Sequence, residues 1–398
     1  MFGTTRRRLT ALTLIGAVLV SACSSNDGGT SSSTTAAGAS DGTAAATDSA
    51  PGKDSEAVGF IFVGPKDDFG YNQAAYEGSQ ALKETFPDLE IITAENVPET
   101  DEAARVMEGM IQKGAKIIFA TSYGHLDAAK TVAAAHPDVA VVQQGNTITD
   151  AIGPNIGTYF GTVYEPVYLA GIIAGKMTKT NKLGYVYAFP IPQTLANINA
   201  FQLGAHSVNP EAETITVNTS NWCDPAKQAD AAKSLLNQGV DVLTQHQDCQ
   251  ATVVKAAEEA GAMVVGYHAD ASSLAPKGWL GGSEWNWAPM YADIVETTLA
   301  GDFTGSKYNA NYRAGFASGE NPFVASAFGA SVPKDVQDLV TKAKDGFQAD
   351  KSVFTGPIMG QDGTEVVPAG TTLDAAAVDG MNYFVEGVVG NIPEVVTS

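Results

Sequence analysis

Val58-Gly-Phe-Ile-Phe-Val-Gly-Pro65 and, 125 positions later, Leu183-Gly-Tyr-Val-Tyr-Ala-Phe-Pro190 are two versions of one phrase. Each is an unbroken apolar run closed by a proline, the signature of a short strand buried on both faces. The same offset carries Met107, Met110, Ile111 and Gly114 onto Ala232, Leu235, Leu236 and Gly239, and Ile117-Ile118 onto Val242-Leu243. Two strands, a helix and its glycine stop therefore recur in register, so the chain contains two copies of one unit.

Within the first copy, a helix is expected from about Gln73 to Phe86, a strand over Leu89–Thr93, a helix from Asp101 to Gln112 and a strand over Lys116–Ala120. Ala103, Val106, Met107, Met110 and Ile111 fall on one face of the second helix, with Asp101 and Glu102 at its electropositive start. In the second copy, Asp224 and Pro225 supply an N-cap and a first-turn proline. Alternating strands and helices imply parallel sheets covered by helices on both faces, here two doubly wound α/β lobes. Such sheets bind ligands beyond the carboxyl ends of their strands, which makes the cleft between the lobes the place for a site.

Outward from this body, Arg6, Arg7 and Arg8 precede an apolar run from Leu9 to Val20 and the stretch Val20-Ser21-Ala22-Cys23. That is the layout of a secretory signal over residues 1–22, too short to span a bilayer. The end of the run resembles a bacterial lipobox, which would make Cys23 the acylated first residue of the mature chain. The alternative is ordinary cleavage near Ala22 with a free thiol, and the arginines also resemble a twin-arginine signal. Residues 23–56, rich in Ser, Thr, Ala, Gly and Asp, read as a disordered tether. The remaining 340 or so residues exceed one core. They divide into an N-terminal lobe of 57–178 and 287–322 and a C-terminal lobe of 179–286 and 323–398.

Removal of the leader leaves 20 basic and 44 acidic residues, a net charge of −24. So acidic a chain has no general field for nucleic acid or anionic lipid. Cys223 and Cys249, in an oxidising compartment, could pair or stay free.

Catalytic motifs are missing: there is no GxSxG elbow, no phosphate loop, no HExxH and no Gly-x-Gly-x-x-Gly after a strand. No enzyme activity, cofactor or metal is expected. His125, His246 and His268 fall on strand ends, so a zinc-dependent enzyme stands as a distant rival. Rings dominate those ends instead: Phe69, Tyr71, Tyr123, Trp222 and Tyr267. A planar solute gains roughly 0.5–1.5 kcal/mol per ring beyond burial, and a hydrogen bond from a charged group such as Asp270 adds about 1.5–3 kcal/mol. Together these approach the ~8 kcal/mol of micromolar capture. Asn72 could read a base edge or simply cap the helix after it. Trp285 and Trp287, near an expected crossover, could pack the hinge instead of touching solute.

Gly64-Pro-Lys-Asp-Asp-Phe-Gly-Tyr-Asn-Gln73, Thr121-Ser-Tyr-Gly-His-Leu-Asp127, Val217-Asn-Thr219 with Asp224-Pro225, Gln228-Ala-Asp-Ala-Ala-Lys233, Gln238-Gly-Val-Asp241 and Phe354-Thr-Gly-Pro-Ile358 resemble the basic membrane protein (PnrA-like) family of ABC-transporter substrate-binding lipoproteins. The resemblance runs from about Val58 to the C-terminus. It implies a type I periplasmic-binding fold whose lobes are joined by a three-strand hinge, and a purine base or nucleoside as solute.

The resemblance matches Phe69, Tyr71, Asn72, Ser122-Tyr123-Gly124, Trp222, Gln247 and Asp270 to the solute; with Asp68 and Gln193 from the strand-end loops, the candidate ligand set is Asp68, Phe69, Tyr71, Asn72, Tyr123, Gly124, Gln193, Trp222, Gln247 and Asp270. The first loop reads Asp-Phe-Gly-Tyr in place of Asp-x-Ser-Phe. Tyr267-His268-Ala269 replaces a pattern ending in two acids, of which Asp270 remains. Losing an acid that could hold a ribose favours a free base such as adenine. The expected partners are this solute and a membrane ABC permease, with the protein a monomer anchored by lipid on the extracytoplasmic face of the cell membrane. A lipoprotein that senses the solute without feeding a transporter would have the same cleft.

Overall fold

The computed structural model describes residues 50–349 and 351–393. The signal segment, Cys23 and most of the proposed tether lie outside them. The tether reading ends too late. Gly52 donates its N–H to Asp138 O (2.9 Å), and the Ser55 hydroxyl links Ala57 O to the Lys116 N–H, so residues 50–56 are packed against the first lobe.

In chain order, β1 (Ala57–Ile61), α1 (Tyr71–Thr85), β2 (Glu90–Ala94), α2 (Asp101–Ile111), β3 (Ala115–Ala120), α3 (Leu126–Ala135), β4 (Ala140–Gln144) and β5 (Ile156–Gly161) build the first unit. After α4 (Tyr164–Met177) come β6 (Lys182–Tyr187), α5 (Pro192–His206), β7 (Glu213–Asn218), α6 (Pro225–Asn237), β8 (Val242–His246), α7 (Ala251–Glu259), β9 (Met263–Gly266) and β10 (Trp279–Trp285). The chain continues through α8 (Ala288–Leu299), β11 (Asn311–Ala314), β12 (Phe323–Ala325), α9 (Lys334–Gln348), the hairpin of β13 (Ile358–Met359) and β14 (Glu365–Val367), α10 (Ala375–Asp379) and β15 (Val388–Val389).

The duplication is visible in the pairing. β1 lies between β2 and β3 with Val58 beside Ile91 and Ile117, and β6 lies between β7 and β8 with Leu183 beside Thr214 and Val242. The first sheet runs β11-β5-β4-β3-β1-β2, entirely parallel. The second runs β12-β10-β9-β8-β6-β7-β15, parallel apart from β12. β1 and β8 are buried along their whole length, as strands covered on both faces must be. Capping chemistry sets the helix starts: the Asp224 carboxylate accepts from Ala226 N and Lys227 N at 3.1 Å, and Thr100 accepts from Glu102 N at 3.3 Å.

Three connections cross between the sheets: residues 162–163, 286–287 and 315–322. The first falls earlier than the boundary at 178 expected from sequence. α4 packs on α5, α9 and β10 and so covers the second sheet. Its nearly all-round burial, from Pro166 to Gly175, gives it no polar face from which to read a side in the sequence. The crossings are stitched together: Thr162 N donates to Ala314 O (2.8 Å), Asn286 N to Pro322 O (2.7 Å) and Phe316 N to Glu165 Oε2 (2.7 Å). Burial raises the Glu165 carboxyl to about 7, against the pull of the Phe316 N–H and the Asn321 amide. Trp285 and Trp287 stack at 4.3 Å, 15° from parallel, and pack these crossings.

Candidate functional site

Loops at the carboxyl ends of the two sheets meet. The Tyr71 N–H donates to Asp248 O across the cleft (3.0 Å). A side chain at Gly70 would place its Cβ 1.6 Å from that same oxygen, so the approach requires glycine there.

Under this contact lies a narrow pocket whose empty space, open solvent included, is about 350 Å³. The first lobe contributes Tyr71, Ser122, Tyr123, Gly145 and Phe160, and the second contributes Gln193, Trp222, His246, Asp248, Tyr267 and His268. The rings form a continuous wall: Trp222 to His246 at 6.0 Å, His246 to Tyr267 at 4.7 Å, Tyr267 to His268 at 4.0 Å, and His268 to Tyr71 of the other lobe at 5.2 Å. Gly145, Phe160 and Gln193 also line an adjoining pocket, about 560 Å³ with its open solvent included, which holds Tyr164, Asn197, Arg313 and Asp379. Asp379 sits at the end of α10, where its carboxylate accepts from the Thr147 hydroxyl of the first lobe (2.9 Å).

Burial shapes the charges. Asp248 is pushed well above the carboxylate range by burial and by the like charges of Asp68 and Glu99, with Asn72 opposing. Among the described residues it makes no salt bridge, and a carboxyl raised in this way holds its proton and can donate as well as accept. His246 is lowered by burial to about 3 and stays neutral. Arg313 donates to Asn146 O (2.6 Å), Tyr312 O (3.0 Å) and two threonine hydroxyls, and burial depresses it.

Of the residues expected from sequence, Tyr71, Tyr123, Gln193 and Trp222 converge on the cavity. Five others are engaged elsewhere. Asp68 caps α1: Oδ1 accepts from Gly70 N (2.8 Å) and Gln73 N (3.0 Å), and Oδ2 accepts from Asn72 N (3.0 Å) and Asn72 Nδ2 (2.7 Å). Asn72 is inside the helix, its Oδ1 accepting from Gly64 N at 3.1 Å, so it is not the cap of α1. Gly124 donates to Glu99 Oε1 (2.8 Å). Gln247 is wholly buried between Gln228 and Thr219. Asp270 accepts from Ser272 N and lines a separate groove. Phe69 is 42% exposed, with φ 55°, and does not line the cavity.

Cys223 and Cys249 are bonded, with Cα atoms 5.3 Å apart, tying the loops after β7 and β8. His125 is buried in the first lobe against Val97 O (3.0 Å), apart from the two cavity histidines, and among the described residues no cluster of three His, Cys, Asp or Glu could hold a metal.

Sequence reasoning missed Phe160, Asn197, Asp248, Arg313 and Asp379. Phe160 and Asp248 carried a usable signal, lying at the carboxyl ends of β5 and β8. Asp379 carried none, because only the long return of the chain past α9 brings it to the cleft.

A family model described as ABC transporter substrate-binding protein, PnrA-like, matches residues 55–312. The chain is 35% identical to a purine-binding protein of Brucella abortus over 85% of its own length and 94% of that protein's. It is 31% identical to a putative ABC transporter glucose-binding protein of Haloferax volcanii, over 89% and 86% of the two chains. Its fold is similar to the crystal structure of an ABC transporter solute-binding protein of Aeropyrum pernix, with a TM-score of 0.64, 17% identity and coverage of 81% and 95%.

Proposed function

Since the chain belongs to the PnrA-like family of ABC transporter substrate-binding proteins, a family that captures solutes and does not transform them, we propose that its solute is a purine held in the aromatic chamber. The observation that carries this reading is the wall of rings drawn from both lobes, Tyr71 on one side and Trp222, Tyr267 and His268 on the other. A flat heterocycle matches such a wall, and each ring it meets contributes roughly 0.5–1.5 kcal/mol beyond burial. The Asp248 carboxyl answers the polar edge of the base.

A free base fits best. The loop after β9 brings no carboxylate to the cavity, because Asp270 faces another groove. A nucleoside is the second reading, favoured by the adjoining chamber with Asp379 and Arg313, where a sugar would meet charged and amide groups. Glucose, the solute in the name of the Haloferax relative, would leave most of the ring wall without a planar partner.

Closure around the solute is the signal to a membrane permease, because a ligand touching both lobes favours the closed form by its differential affinity. Cys23 carries the acyl anchor that keeps the protein on the extracytoplasmic face. Loss of labelled palmitate in Cys23→Ala tests the anchor, and retention of label would refute it. Among the described residues no helix is long and apolar enough to cross a membrane.

Calorimetry on protein stripped of ligand by unfolding and refolding tests the solute. Adenine or hypoxanthine should bind at micromolar affinity or better, about 8 kcal/mol, with adenosine weaker and glucose silent. Heat from glucose with none from any purine would overturn the reading.

A further inference from the structure

His268 occupies a conformation that few side chains tolerate. Its φ is 81°, a region that costs a non-glycine residue energy and persists only where the surroundings impose it. Trp285 imposes it. The Trp285 backbone N–H donates to His268 O (3.0 Å), and the indole Nε1–H donates to His268 Nδ1 (2.8 Å). An indole nitrogen can only donate, so His268 Nδ1 must be the bare acceptor nitrogen of the ring. In a neutral imidazole the proton then resides on Nε2. Burial, reinforced by His246 beside it, holds the ring well below its usual range and so keeps it neutral. His268 is 2% exposed, it lines the aromatic chamber, and its Nε2 has no hydrogen-bond partner in the protein. A buried donor left unmatched is costly, which makes this one an unanswered half of a hydrogen bond.

We propose that His268 determines specificity as a tautomer-locked donor, its Nε2–H pairing with an unprotonated ring nitrogen of the bound purine. Trp285 acts through it as a positioning residue. This inference rests on the purine reading and adds to it the polarity of one edge: the ligand must present an acceptor to the loop after β9. A solute with a C–H at that position leaves the donor unmatched and is rejected by about 10–100-fold, the cost of one unsatisfied buried donor.

The test uses the ligand-stripped full chain. Nitrogen NMR of the His268 ring should show Nε2 protonated and Nδ1 bare; the opposite tautomer, or a charged ring at neutral pH, overturns the proposal. Calorimetry then compares adenine with 1-deaza-, 3-deaza- and 7-deazaadenine on wild type, His268→Asn and His268→Gln. Asparagine retains an acceptor for Trp285 but loses the ligand-facing donor, whereas glutamine retains that donor. One deaza analogue should bind wild type about 10–100-fold more weakly than adenine and show no such gap on His268→Asn, with partial recovery of adenine affinity in His268→Gln. If His268→Asn binds adenine as wild type does, or if all three analogues keep the same ratios on both proteins, the pairing is wrong. Absence of heat from every purine would sink the purine reading and the pairing with it, a result distinct from purine binding indifferent to His268.

Discussion

The two lobes present their loops to one cavity but hold them by a different balance of ties. In the first lobe carboxylates do the work: Asp68 gathers three backbone N–H groups and the Asn72 amide, and Glu99 accepts from the Ser122 hydroxyl (2.6 Å) and Gly124 N (2.8 Å). In the second lobe the carboxylates of Asp224 and Asp270 make fewer such ties, and a covalent bond and a neutral pair are added: the Cys223–Cys249 bond and the His268–Trp285 pair. The difference shows that a polar residue at a strand end can be wholly engaged in shaping its own loop. Asp68 resembles a ligand contact in sequence yet has both carboxylate oxygens engaged by its neighbours. His268 has half of its capacity filled and half left over.

The contrast can be broken most strongly at the disulfide. Replacing both Cys223 and Cys249 by serine frees a crosslink spanning 26 residues and should lower stability by about 3.5 kcal/mol, read as a shift in urea unfolding. Mild reductant should reproduce the effect in wild type, and an unchanged midpoint would show that the second lobe does not depend on this tie. On the first lobe, Asp68→Ala leaves several buried donors unmatched and should cost about 3 kcal/mol by the same measurement while reductant sensitivity persists.

The hinge sharpens the comparison with a pH dependence. Burial gives Glu165 a folded value of about 7 against an ordinary 4.5. The folded state therefore holds a proton that the unfolded chain releases between these values. Its contribution is full below pH 4.5 and is lost as pH rises through 7, on the order of 2 kcal/mol. Glu165→Gln should flatten that part of the profile of urea midpoints between pH 5 and 8, and an identical slope in both proteins would place the titration elsewhere. The smallest effect on binding is expected from Trp285→Phe, which keeps an aromatic ring but deletes the indole donor. Purine affinity should fall about 5-fold, ~1 kcal/mol, and an unchanged affinity would show that the indole does not act through His268.

Much of the architecture could be read in advance because its signals are local. The apolar run and proline at Val58–Pro65 and Leu183–Pro190, the helix stops at Gly114 and Gly239, and the Asp224-Pro225 cap each act within a few residues. The rings at Tyr71, Tyr123, Trp222 and Tyr267 were legible for a related reason: in a parallel sheet, position at a strand's carboxyl end already implies position at the cleft. The placement of α4 was not legible, because a helix buried on all sides gives no face to orient.

What the sequence determined by itself was the duplicated strand and helix unit, its repeat spacing and the rings at its tips, since backbone geometry and apolar periodicity depend on near neighbours. The tertiary structure decided which polar groups remain unmatched in the cavity. Whether a donor is free depends on the partners that distant segments bring to it: Trp285 reaches His268 from the next strand, and Asp379 reaches the cleft from the far end of the chain. Hydrogen-bond satisfaction is a property of packed surroundings, and no stretch of sequence contains it.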